Sequence, residues 1–163
     1  MTTSHQSPSG SSSYVAEIPL TRGKVVLIDR ADLPLIKGHK WYPVKRGNNT
    51  YAVCGGSCCS ISMHRLLFPD SEIVDHINMN GLDNRRCNLR PCNKSQNMAN
   101  RGACKNNKLG IKGVSYCKAT GRYRADINCN GKRRNLGRFA TPEEAAAAYI
   151  TAAKILFGEF ARS

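Results

Sequence analysis

Long apolar runs are missing from this chain. No stretch approaches the roughly 20 apolar residues that a membrane-spanning helix requires, which excludes a helical span. A secretory signal is missing too: Met1 to Ser13 is rich in Thr, Ser, Gly and Pro and holds no apolar core. That segment reads as a disordered tail, and the protein is expected inside the cell. Without export, the eight cysteines are expected as reduced thiols. Clean CxxC pairs are also absent. Cys54, Cys58, Cys59, Cys87, Cys92 and Cys104 fall at spacings such as Cys54-x3-Cys58 and Cys87-x4-Cys92, which argue against a structural zinc site.

Acidic residues are few. Asp and Glu number 11 against 25 Lys and Arg, a net charge of +14 on 163 residues. That imbalance attracts polyanions and speeds their capture. Nucleic acid is the first partner it implies and an acidic membrane surface the second. The basic residues lie in loop-like and strand-like stretches and not on one face of an amphipathic helix, which argues against the membrane.

The N-terminal third carries short β-branched and aromatic runs: Val25–Ile28, Trp41–Val44, Thr50–Val53 and Ser60–Met63. Gly23, Pro34, Gly38, the Gly47-Asn48-Asn49 turn and Gly55-Gly56 punctuate them, a pattern that predicts a small antiparallel meander. His64 to Phe68 reads as a helical turn closed by Pro69-Asp70. From Ser71 to Asn100 the composition turns to Asn, Asp, Arg and His. So many donors and acceptors point to a site held by hydrogen bonds or a metal. Residues 101–109 read as a polar linker.

The last section has a β-β-β-α grammar. Gly113 to Tyr116 is one strand, and Tyr123 to Cys129 alternates Tyr123, Ala125 and Ile127 with Arg124, Asp126 and Asn128. Asn130-Gly131 is a two-residue hairpin signal, and Arg133 to Phe139 returns. Thr141-Pro142-Glu143-Glu144 makes a capping box with Pro at the first helical position. An Ala-rich helix follows and stops at Gly158. It covers the apolar face of the sheet, leaving a polar, basic face suited to DNA.

Within 71–100 runs the string Asp75-His76, Asp83-Asn84-Arg85, Asn88-Leu89 and Gln96-Asn97. It resembles the HNH nuclease family, in particular the homing-endonuclease branch of phages and mobile introns. The resemblance implies a ββα-metal core in which His76 is the general base that activates a water, a task suited to an imidazole. Asp75 and Asn97 are then hard oxygen ligands to Mg²⁺ (or Mn²⁺), and the ion stabilises the 3′ leaving oxygen. Asn88 is structural, bonding across the loop and orienting His76. Many family members have His where Asn97 stands and bind Zn²⁺ or Ni²⁺; one carboxylate and one amide favour weakly held Mg²⁺ or Mn²⁺. Asn80, Asp83 and Asn84 are expected to shape turns. His64, before Arg65-Leu66-Leu67, is expected to be structural or a phosphate contact.

Gly113-Val114, Gly121 to Ile127, Leu136 to Phe139 and Glu143 to Tyr149 resemble the ethylene-response-factor (Apetala-type) domain. In that family the sheet lies in the DNA major groove. The resemblance carries over Lys112, Ser115, Asp126, Asn128, Arg133 and Asn135. Ser115 stands where the plant domain has Arg, and Asn135 where it has Trp, so docking is better assigned to Lys112, Lys118, Arg122, Arg124, Arg133 and Arg134 than any base preference.

The expected organisation is α+β: a tail over 1–13 and a nuclease domain over 14–100, made of the meander 14–63 and the ββα-metal motif 71–100. The linker 101–109 then leads to a DNA-binding domain over 110–163. The function expected is metal-dependent cleavage of double-stranded DNA. One motif per chain implies a nicking monomer or a weak dimer. A non-catalytic DNA-binding regulator on a degenerate nuclease fold would not need Asp75, His76 and Asn97 intact. An RNA-binding protein would fit the charge but leaves the Asp-His…Asn…Asn string without a purpose.

Overall fold

The computed structural model describes residues 14–56 and 59–162; the expected tail and Cys58 lie outside the described residues. The chain divides into two compact units. One holds the residues up to Asp70 together with Asn80–Arg90, and the other holds Ser71–Met79 with Pro91–Ser163. The architecture is mixed α and β, built from several small antiparallel sheets. The division does not fall at the polar stretch 101–109.

In the first unit β1 (Val15–Pro19) pairs antiparallel with β2 (Val25–Asp29), from Val15 opposite Asp29 to Pro19 opposite Val25. Val26 and Ile28 on β2 are fully buried, and Ala16 on β1 is buried with them. The short helix α1 (Leu33–Ile36) follows, then β3 (Tyr42–Arg46), β4 (Asn49–Gly55) and β5 (Ser60–Ser62). These three strands form a second sheet in the order β3-β4-β5. The single meander expected from the sequence is therefore two separate sheets. The reason lies between them: Pro34 opens α1 and Gly38 turns at φ +87°, so the chain leaves the first hairpin before starting the next. The β1 strand is not among the expected runs; it ends in Pro19, a residue that sheets confine mainly to edge strands. Met63 belongs to the helix α2 (Met63–Leu67) and not to the strand before it, and it is fully buried.

Residues 80–90 are clasped by β2. Leu27 N–H donates to the Leu82 carbonyl, and Asn84 N–H donates to the Leu27 carbonyl, both at 2.8 Å. Arg86 N–H donates to Asp29 Oδ2 at 2.7 Å, and its guanidinium grips both oxygens of buried Asp32 at 2.8 Å. The same guanidinium lies 5.3 Å from the centre of the Phe68 ring. This planar two-bond pairing fixes the stretch more firmly than a lone ammonium would.

The second unit starts with β6 (Ile73–His76), paired with β7 (Leu89–Cys92), whose Pro91 and Cys92 belong to this unit. The helix α3 (Lys94–Asn100) begins on Asn93, whose side chain accepts from Gln96 N–H at 2.9 Å while Gln96 Oε1 accepts from Asn93 N–H at 2.8 Å. Then come β8 (Val114–Cys117), β9 (Arg122–Cys129), β10 (Lys132–Phe139) and α4 (Pro142–Phe157), with the strands ordered β10-β9-β8. Asn130 and Gly131 both take positive φ, as a two-residue hairpin turn demands. The Thr141 and Glu144 capping box is present, and α4 ends at Gly158 with φ +54°.

The core beneath α4 has two clusters. Val114, Ala125 and Ala145 form one; Ile127, Tyr149, Ala153, Phe157 and Phe160 form the other, and Ala99 of α3 belongs to it. The helix comes so close to the sheet that a Cβ on Gly113 would collide with the Tyr149 ring. The Ala side chains of α4 make that approach sterically allowed.

Candidate functional site

Asp75 and His76 end β6, and both are buried, at 6% and 5% exposure. Adjacent residues on a strand point to opposite faces, so this pair presents a carboxylate and an imidazole on either side of one backbone. Asn97 is half-buried on α3 of the same unit, its N–H bonded to the Asn93 carbonyl at 3.0 Å. The structure thus brings Asp75, His76 and Asn97 into one unit, whereas Asn88 belongs to the other.

The loop between β6 and β7 is shaped by its own side chains. Buried Asn88 donates its amide to the Asp83 carbonyl at 2.8 Å. Asp83, at 2% exposure, holds the Arg85 guanidinium through two 2.7 Å bonds. That carboxylate drives the Arg85 pKa above its ordinary value, first by hydrogen bonding and then by charge. Asn80 Oδ1 accepts from Leu82 N–H at 3.1 Å, an Asx turn. Asn49 Oδ1, from β4, accepts from Gly81 N–H at 3.2 Å. His64, on α2, lies with its ring centre 5.6 Å from that of Tyr51.

Asp75 and Asn97 would offer one carboxylate and one amide oxygen to an ion. Such hard oxygen donors fit Mg²⁺ or Mn²⁺ that keeps several waters and takes further ligands from a phosphate. Among the described residues no three His, Cys, Asp or Glu side chains gather in one place. The described cysteines are free thiols, and Cys58 lies outside the described residues.

The three-stranded sheet has one face under α4 and one open. Register places Ser115, Arg122, Arg124, Asp126, Asn128, Arg133 and Asn135 on the open face. Asp126 is the hub of that face. Its Oδ2 accepts from Arg124 Nε at 2.7 Å and from Arg133 at 2.8 Å, and its Oδ1 accepts from Asn135 at 3.3 Å. Burial pushes this carboxyl up, but Arg133 and Arg124 outweigh it and hold the pKa below the usual carboxylate value. Lys118 is exposed in the turn between β8 and β9.

Residues 109–159 match the AP2 domain family. An uncharacterized HNH endonuclease of Acanthamoeba polyphaga mimivirus is 30% identical over 148 residues, covering 86% of this chain and 74% of that protein. This chain belongs to the HNH endonuclease family. A protein of Escherichia phage T7 named Protein 3.8 is 33% identical over 94 residues, covering 58% of this chain and 77% of its own length. No solved structure matches. The protein is thus an HNH endonuclease family member carrying a C-terminal AP2-type domain.

Three placements in this HNH family member differ from what the sequence pattern implies. Lys112 does not join the open face: its ammonium donates to the Met98 carbonyl at 3.1 Å and to the Ala99 carbonyl, at the end of α3. Arg134 stands opposite Ile127, so it leaves the sheet on the side of α4. Arg138 stands opposite Arg124 and joins the open face in its place. The cause is a bulge between Asn135 and Gly137, which shifts the alternation by one residue after Leu136. The Gly137 in that run is the signal for it. Asn100, buried at 6% exposure, was not among the expected site residues.

Proposed function

We propose that this HNH family member hydrolyses phosphodiester bonds in double-stranded DNA and that its C-terminal sheet docks it on the duplex. The observation that carries the reading is that Asp75 and His76, consecutive at the end of β6, are both buried and lie in the same unit as Asn97. An AP2-type sheet whose open face carries Arg122, Arg124, Arg133 and Arg138 supports DNA as the substrate.

His76 takes the proton of a water whose oxygen forms a bond to phosphorus. The bond to the 3′ oxygen breaks, and that oxygen leaves with the electron pair and is protonated from solvent. The products are a 5′-phosphate and a 3′-hydroxyl. Asp75 and Asn97 would hold Mg²⁺ or Mn²⁺, which when bound stabilises charge on the leaving oxygen and the phosphate. Asn88 keeps the loop between β6 and β7 closed through the Asp83 carbonyl. On the sheet, arginines contact phosphates and set register, while Asn128 and Asn135 can reach base edges.

Supercoiled plasmid incubated with the protein and Mg²⁺ should convert to nicked or linear DNA. EDTA should stop the reaction, and His76→Ala should lower its rate by about 10²- to 10⁴-fold, the range of a general base. Salt-sensitive DNA binding without cutting in any divalent ion would instead make the protein a DNA-binding regulator. Cutting that survives His76→Ala would remove His76 from the role.

A further inference from the structure

One buried side chain bonds both the Asp75 carboxylate and the His76 backbone carbonyl. Asn100 is the last residue of α3, one turn after Asn97. Its Nδ2 donates to Asp75 Oδ1 at 3.0 Å and to the His76 carbonyl at 2.9 Å, with the Ile77 carbonyl at 3.5 Å. All of these acceptors are carbonyl or carboxylate oxygens. Only the nitrogen of the amide can serve them, so chemistry fixes its orientation. An –NH₂ group has two hydrogens, and the two shorter bonds use both.

We infer that Asn100 is a positioning residue for the metal ligand Asp75, an inference that rests on the nuclease reading above. A carboxylate on a strand can turn about its side-chain torsions. Pinning Oδ1 selects one rotamer and so sets where the group presents its charge to an ion. The second bond, to the His76 carbonyl, ties the end of β6 to the end of α3. Because Asn97 sits on the same helix, Asn100 also sets the spacing between the two proposed ligands. Removing an outer-shell partner of this kind typically weakens metal binding by about 10- to 100-fold.

The test is titration of the full chain with Mn²⁺, free ion being read by electron paramagnetic resonance, for wild type, Asp75→Asn and Asn100→Ala. The Mg²⁺ dependence of plasmid nicking is read in parallel. Wild type should bind, Asp75→Asn should lose the site, and Asn100→Ala should bind about 10- to 100-fold more weakly. Its nicking rate should recover toward wild type at high Mg²⁺, a recovery that simple unfolding does not give. If Asp75→Asn binds like wild type, Asp75 is not the ligand and the nuclease reading itself fails at that point. If Asp75→Asn loses the ion while Asn100→Ala keeps wild-type affinity, only the role of Asn100 is overturned. Should Asn100→Ala not fold, Asn100→Ser keeps one donor and should show intermediate affinity; wild-type affinity, or failure of both variants to fold, overturns the inference.

Discussion

The Lys112 ammonium rests on the carbonyl oxygens of Met98 and Ala99, the last turn of α3. A cation at that end satisfies carbonyls that have no partner inside the helix and complements the negative end of its dipole. In this way the first residues of the AP2-type domain are anchored on the helix that carries Asn97 and Asn100. Arg162 adds to the same place, donating its N–H to the Ala99 carbonyl at 3.4 Å.

That anchor has a pH signature. Burial, and after it the Arg162 charge, lowers the Lys112 pKa to about 8 from 10.5, with Cys104 pulling the other way. Between those values the unfolded chain binds a proton that the folded chain does not, so stability rises with pH. Melting temperatures of wild type and Lys112→Met, compared from pH 7.5 to about 10, should diverge in favour of wild type as pH increases. A constant difference across that window would show that the carbonyls keep the ammonium charged.

Asp126 predicts the opposite edge of the pH scale. Its carboxyl is held below the ordinary value by Arg133 and Arg124 in spite of burial, so the stability it contributes is present at neutral pH and is lost as pH falls through that depressed value. Asp126→Asn should lower the melting temperature by a few degrees at pH 7, with a smaller difference at pH about 3. The freed Arg124 and Arg133 should also bind duplexes with less discrimination between sequences, read by competition between unrelated DNA fragments.

Gly113 is a steric test of the sheet–helix contact. Its φ is +72°, and an added Cβ would meet the Tyr149 ring and lie 2.7 Å from the Asp126 carbonyl oxygen. Left-handed strain and overpacking act together, so Gly113→Ala should cost about 2 kcal/mol or more in urea unfolding.

The bulge at Leu136 separates two neighbouring arginines. Arg138 shares the open face with Arg124, whereas Arg134 lies on the side of Ile127. Arg138→Ala should reduce the slope of log affinity against log salt by about 0.9, the value of one phosphate contact on B-DNA. Arg134→Ala should leave the slope unchanged.

Local chemistry made much of this molecule legible without coordinates. The strand alternation from Tyr123 to Cys129, the Asn130-Gly131 turn and the Thr141–Glu144 capping box depend on residues a few positions apart, and all form where the pattern places them. The string of Asp75, His76, Asn88 and Asn97 marked a candidate site through its resemblance to the HNH family. Other features depend on partners far along the chain. That β2 clasps residues 82–86, that the N-terminal strands split into two sheets, and that Lys112 caps α3 follow from backbone and side-chain groups finding acceptors across long separations. Asn100 illustrates the boundary: no motif in the sequence marks it, and only the packing of α3 against β6 brings its amide to Asp75. Periodicity records which face of an element is apolar; it holds no record of which distant carbonyl or carboxylate a buried donor will meet, because that is decided when the elements pack.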